Sequence, residues 1–268
     1  MKVYLTLAED LIKMRPYCNY FHLLHDCLIY IFTYIKKNNP DKNNVYFYID
    51  LKSKICWNSE FIKILNDFVN ITNILPKNTK LIVFDKTSDK DYSILVEYLN
   101  NIRIPSENLN SIVYKIRSSK RYILNDMEII KRIEENFGHN YKIIPVDFDK
   151  KSFNEQIEIM NGCKLFIGCH GAGLINAYFM EPETNMLELF PESFYARCFL
   201  NVCNRKNIKH YYLNGTSINP PPITLETYML EMDTNPEYNN SMFRSLIRDI
   251  PFTVDVELII EKINEILQ

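Results

Sequence analysis

The sequence predicts an α/β protein built on mainly parallel sheets, and three observations carry that prediction. Short β-branched or aromatic runs alternate with helical patterns from end to end. Several of those runs are continuously apolar, as strands covered on both faces have to be. No internal repeat or low-complexity block interrupts the alternation.

In chain order, strands fall near 2–6 (KVYLT), 45–51 (VYFYIDL), 80–84 (KLIVF), 111–116 (SIVYKI), 141–146 (YKIIPV), 163–168 (CKLFIG), 185–190 (NMLELF) and 208–213 (IKHYYL). Helices are predicted between them, near 17–37, 58–69, 91–101, 126–137, 152–161, 173–180 and 194–206. The connection 102–110 (IRIPSENLN) is polar and holds Pro105, which predicts a boundary between a first domain, 1–105, and a second, 106–253. From 214 to 253 the alternation fails. Pro220, Pro221 and Pro222 followed by acidic, Asn-rich sequence predict a long irregular excursion, a candidate acceptor lid. Over 254–268 a helix returns: Val256, Ile259, Ile260, Ile263 and Leu267 recur at helical spacing and must dock on either their own domain or the first one.

Composition excludes several function classes. The 268 residues are 47% apolar, enough for a large core, and 31 basic against 33 acidic side chains leave a net charge of −2. No global field attracts nucleic acid or an anionic membrane. No apolar run reaches the roughly 18 to 20 residues of a membrane span, and MKVYLTLAEDLIK lacks the uncharged stretch of a signal peptide, so the expected location is cytoplasmic. The seven cysteines are odd in number and form no CxxC pair, which argues against a disulfide framework or a four-thiolate zinc site. No metal and no cofactor is expected.

Three clusters concentrate the chemistry. Of only six glycines, four lie in the twelve residues from Gly162 to Gly173. A strand ending at Gly168, a small-residue turn through His170, Gly171 and Ala172, and a helix opening near Gly173 would aim backbone N–H groups and a helix dipole at one point, which suits a phosphate. The spacing is neither GxGxxG nor GxxxxGK[ST], so a dinucleotide fingerprint and a P-loop are both excluded. His170 stands where a P-loop has lysine and could donate to a leaving oxygen; the competing reading is a tight turn capped by a histidine. Upstream, Lys115, Arg117, Lys120 and Arg121 crowd the end of a strand just before Asn125 and Asp126, which can cap the next helix. Ligands of open α/β sheets bind beyond the carboxyl ends of strands, so Arg117 and the glycine turn should share one crevice; the alternative is a solvated basic loop. The third cluster is Asn19-Tyr-Phe-His22-Leu-Leu-His25-Asp26. His22 and Asp26 share a helix face, as a general base and its orienting partner would, and a polar helix face or a metal site with His25 stay open beside that.

The order of these residues resembles glycosyltransferase family 61. Arg117-Ser-Ser-Lys-Arg121-Tyr-Ile-Leu-Asn125 resembles its R-x-x-x-R-x-x-x-N segment, Phe153-Asn-Glu-Gln156 its "sfxeQ" helix, and Gly168-Cys-His170-Gly171-Ala172-Gly173-Leu174-Ile-Asn176 its GxHGAGLxN core. Met186-Leu-Glu188-Leu-Phe-Pro191 resembles its "xxExxP" strand, and Asn19-Tyr-Phe-His22 with Asp26 its N-x-x-H-x-x-x-D motif. The resemblance implies a GT-B architecture of two Rossmann-like domains across a cleft. It implies inverting, metal-independent transfer of a sugar from a nucleotide diphosphate, usually UDP, to a glycan or protein hydroxyl. Arg117, Arg121, Asn125, His170, Gly171, Ala172, Gly173, Leu174, Asn176 and Glu188 then bind the donor, with Glu188 accepting from the ribose. Asp26 and His22 supply the base. A non-catalytic nucleotide-sugar or carbohydrate-binding module of the same fold is the alternative.

Overall fold

A computed structural model describes residues 2–7, 25, 28–48, 66, 69–84, 88, 90–101, 110–219, 222–236, 238 and 240–268. The chain divides into two compact units, Met1–Ile102 and Arg103–Gln268.

In the first unit, β1 (Val3–Leu7), α1 (Leu28–Asn38), β2 (Val45–Tyr48), β3 (Asn70–Thr72), β4 (Leu81–Phe84) and α2 (Tyr92–Asn101) follow one another. The strands form a parallel sheet in the order β3-β2-β1-β4. Leu28, Ile29, Tyr30, Ile31, Phe32, Thr33 and Ile35 of α1 are buried, so this helix is apolar almost all round. Phe32 stacks on Tyr98 of α2 at 4.2 Å, and Thr33 Oγ accepts the Asp91 N–H at the start of α2. Strand β3 is an addition to the sequence-based expectation; three residues, NIT, are too short and too polar to declare a strand on their own.

The second unit is a wholly parallel five-stranded sheet made of β5 (Ser111–Lys115), β6 (Lys142–Val146), β7 (Cys163–Cys169), β8 (Asn185–Phe190) and β9 (Lys209–Asn214), in the order β6-β5-β7-β8-β9. Every residue of β5 is buried, as its continuous apolar run requires. Because β6 lies on one side of β5 and β7 on the other, the winding reverses between β5 and β7, the place beyond whose carboxyl ends open α/β sheets bind ligands. The connecting helices are α3 (Asp126–Phe137), α4 (Phe153–Met160) and α5 (Cys198–Lys206). Ser152 starts α4 with a capping box: its hydroxyl accepts the Glu155 N–H, and the Glu155 carboxylate accepts the Ser152 N–H.

Two expectations change here, and one open alternative is decided. The glycine turn opens a 3-10 helix, Ala172–Phe179, rather than an α-helix. The 214–253 stretch is ordered among its described residues: β10 (Thr216–Ser217) pairs antiparallel with β11 (Phe252–Thr253), and α6 (Leu225–Glu231) and α7 (Ser241–Arg248) lie between them. Thr224 caps α6 and Asn240 caps α7 through their side-chain oxygens. Of the two seats open to α8 (Val256–Leu267), its own sheet takes the apolar face: Ile259, Ile260, Ile263 and Ile266 join Ile129, Ile133 and Leu187 in one core. A second cluster of Phe190, Phe194, Tyr195, Tyr228 and Ile247 seats α6 and α7 over the end of β8.

Candidate functional site

Lys115 ends β5 directly opposite Gly168 of β7. Its stem fills the space that two glycines leave: a Cβ on Gly168 would lie 2.8 Å from Lys115 Cβ, and one on Gly173 2.7 Å from Lys115 Cε. The ammonium donates to the Cys169 carbonyl at 3.3 Å. Burial lowers the Lys115 pKa, and the Arg117 and Arg121 charges add to that.

Past β5 the chain turns sharply. Lys120 and Arg121 both adopt left-handed backbone, with φ of 39° and 47°, a strained state for residues carrying a Cβ. The turn folds the carbonyls of Ser119 and Lys120 onto Arg117 Nε, at 2.7 and 2.9 Å. With Nε held, the outer end of the guanidinium reaches Gly171, where a Cβ would overlap Arg117 Nη1. Glycine at 171 permits this close approach; a Cβ there would oblige the end of the guanidinium to shift. The Lys115 ammonium is 4.0 Å from the same point, so two cationic heads flank one α-carbon.

Beside them, burial and the Arg117 charge lower the Arg121 pKa to about 10. Its Nε is 3.3 Å from Asp249 Oδ1 but is not aligned for a hydrogen bond and stays unsatisfied. Asp249 also takes Arg248 through two bonds, 2.8 and 3.1 Å, and Lys120 at 3.6 Å. One carboxylate thus faces three cations, and the corner keeps a positive excess. The N–H groups of Ala172 and Gly173, in the first turn of the 3-10 helix, have no acceptor within that helix. Cys169 lies alongside; burial raises its pKa against the pull of Lys115, and its thiol donates to the Arg121 carbonyl at 2.8 Å.

His170 follows in an aromatic slot, stacked on Phe190 at 5.3 Å with the Phe194 and Phe199 rings edge-on. Its Nδ1 meets Glu188 Oε1 at 2.6 Å, and His210 Nε2 meets Glu188 Oε2 at 2.8 Å. Burial lowers the His170 pKa despite the hydrogen bond to Glu188. For Glu188 burial pushes the pKa up, but the bonds from His170 and His210 outweigh it and the net direction is down.

Several residues expected at the donor have other partners in the structure. Glu188 has no exposed surface and both oxygens bonded to imidazoles, so it does not stand open to a ribose. The Asn125 amide bridges to Val254, donating to its carbonyl at 2.8 Å and accepting its N–H at 3.2 Å; it ties the start of α8 to α3 and makes no side-chain cap. Asn176 is buried and donates to Gln156 Oε1 at 2.9 Å, while Gln156 donates to the carbonyls of Phe148 and Lys151. Two motif positions, Asn176 and Gln156, thus lock the 3-10 helix to α4. Leu174 is core, its N–H spent on the Gly171 carbonyl, and the His170 N–H is spent on the Leu189 carbonyl. Of the 170–174 backbone, the cradle narrows to 171–173.

The structure brings together Arg117, Arg121, His170, Gly171, Ala172 and Gly173. His22 and Asp26 lie outside the described residues. His25 is described, its ring stacked on Tyr92 at 4.9 Å. Among the described residues no three His, Cys, Asp or Glu side chains gather as a metal site would need, and no helix is long and apolar enough to cross a membrane. Sequence reasoning missed Arg248, Asp249 and His210; for the first two the available signal was the Asn240 cap ahead of an amphipathic turn.

Fold and site together define an α/β protein with a cationic, glycine-lined corner at a sheet's switch point. The chain belongs to glycosyltransferase family 61, whose model matches residues 20–187. It is similar to protein O-linked-mannose beta-1,4-N-acetylglucosaminyltransferase 2 of Tetraodon nigroviridis, with 30% identity over 99 residues, 37% of this chain and 17% of that one. The Takifugu rubripes protein of the same name is 31% identical over 80 residues, 30% of this chain and 13% of that one. EGF domain-specific O-linked N-acetylglucosamine transferase of Gallus gallus is 30% identical over 91 residues, 34% and 17% of the two chains. These matches span less than a fifth of each relative's length.

Proposed function

We propose that this chain is a GT-B type glycosyltransferase that moves a sugar from a UDP-linked donor to a hydroxyl of a glycan or protein, with inversion and without an essential metal. The observation that carries the reading is the contact of Arg117 with Gly171 above the buried Lys115 stem. Two fixed cations, a neighbouring arginine and the N–H groups of 171–173 suit a diphosphate, whose three charges in the leaving state need compensation. Two units, each with a parallel sheet, support the GT-B assignment. The names of the relatives make UDP-N-acetylglucosamine the first donor to test.

In the reaction, the acceptor oxygen forms a bond to the anomeric carbon while the bond from that carbon to the diphosphate oxygen breaks. The acceptor proton passes to the base, assigned to Asp26 with His22, and the negative charge that builds on the departing UDP is met by Arg117, Lys115 and Arg121.

Calorimetry with UDP, UMP and uridine tests the corner directly. UDP should bind about tenfold or more tightly than UMP, and Arg117→Ala should remove that advantage, since a charge-assisted pair is worth over 1 kcal/mol. Equal affinities for the three ligands would withdraw the diphosphate assignment. Release of free UDP from UDP-N-acetylglucosamine without acceptor separates a transferase from a binding module.

A further inference from the structure

Glu188, in β8, is the meeting point of two imidazoles although it has no exposed surface. An ionised carboxylate only accepts hydrogen bonds, so each ring nitrogen facing it is the donor: Nδ1–H of His170 at 2.6 Å and Nε2–H of His210 at 2.8 Å. The other His170 nitrogen, Nε2, has no partner among the described residues and is not one of the buried unsatisfied atoms. The side chain keeps a tenth of its surface, which leaves Nε2 as the ring nitrogen available to a ligand. The ring cannot readily turn over, because Phe190 covers one face and Phe194 and Phe199 press on it edgewise.

We propose that His210 and Glu188 hold His170 in its Nδ1–H tautomer, so that His170 Nε2 accepts a hydrogen bond from a hydroxyl of the bound sugar nucleotide. This rests on the nucleotide-sugar reading above and replaces the role of His170 as a donor to phosphate. An unprotonated nitrogen repels phosphate oxygens, so the diphosphate falls to Arg117 and Lys115 while Nε2 selects an O–H group. Burial opposes protonation of His170, and the charges of Arg121 and Arg248 act in the same direction against the pull of Glu188. His210 and Glu188 are positioning residues, acting only through His170.

Nitrogen-15 NMR of the whole chain with labelled histidine rings reads the tautomer without any variant. The expected result is a proton on His170 Nδ1 and a bare Nε2. His210→Phe and Glu188→Gln should each move part of the population to Nε2–H, as a carboxamide can donate where the carboxylate only accepts. On titration with UDP, a shift at Nε2 that vanishes with 2′-deoxy-UDP assigns the hydroxyl to ribose; a shift seen only with UDP-N-acetylglucosamine assigns it to the sugar. A protonated Nε2 in the unsubstituted protein, or no response of Nε2 to any of these bound ligands, overturns the proposal. Absence of UDP binding with the expected tautomer in place would instead count against the nucleotide-sugar reading.

Discussion

At Gly171 a single hydrogen atom separates a working corner from a blocked one. Gly171→Ala would put a methyl group where Arg117 Nη1 lies, and the guanidinium would have to shift from its present position. If Arg117 binds the diphosphate as proposed, its displacement should weaken UDP by about tenfold or more, measurable by calorimetry, while circular dichroism stays native. Asn176 predicts the opposite pattern. Asn176→Ala strands the buried Gln156 carbonyl oxygen, costing about 1–3 kcal/mol of stability, and should leave UDP affinity unchanged in the folded fraction. A variant with normal stability and lost UDP binding would return Asn176 to the ligand. The His170–Glu188 pair sets a pH dependence with a definite sign. Folding lowers the His170 pKa from its ordinary 6.5, so below that pH the unfolded chain takes up the proton first and stability falls as pH falls. Glu188 is lowered from 4.5, and its share is lost further down, as pH drops through the folded-state value. The melting temperature should decline from about pH 7 to pH 5, and His170→Asn should flatten that decline by removing the shifted group. An unchanged slope would mean that the titration lies elsewhere.

Elements differ in how much of their packing they announce. Helix α8 shows its apolar face plainly at helical spacing, and Ile263 sits fully buried at its centre. Ile263→Ala should therefore cost about 2–5 kcal/mol, read as a lower midpoint in urea without a change in the final donor affinity of the native protein. The five strands of the second unit were legible to within a residue at each end, because continuous apolar runs bounded by turns admit few other readings. What the pattern hid was local or distant in sequence. Strand β3 exists because Asn70, Ile71 and Thr72 find partners on β2, a pairing no three-residue run declares. Helices α6 and α7 were masked by the prolines before them and by their own brevity, although Thr224 and Asn240 are ordinary cap residues. With α7 unread, Arg248 and Asp249 were invisible as parts of the cationic corner. The motif itself was legible as a string, but which members touch ligand was not: Asn125 and Asn176 turn inward because α8 and α4 offer them buried partners, and those partners come from elsewhere in the chain.

For the molecule as a whole, a net charge of −2 conceals a local reversal of sign at the corner around Arg117, so donor binding should weaken as salt screens it. The remaining question is how the two units divide the reaction. If the second unit holds the leaving group and the first supplies the base, binding and turnover must be separable by substitution. Asp26→Asn keeps the side chain's size and removes its capacity to take a proton, while the residues of the corner, Lys115, Arg117 and Gly171, stay unsubstituted. UDP affinity should stay within about twofold of the unsubstituted chain, whereas transfer to an acceptor should fall by about a hundredfold or more, the usual contribution of a general base. If side chains and backbone meet the diphosphate charge, as proposed, EDTA should change neither quantity. Retained transfer in the Asp26→Asn protein would move the base to another residue, His22 first. Matched losses of binding and transfer would instead mean that residue 26 helps form the donor site, and the division of labour between the units would have to be redrawn.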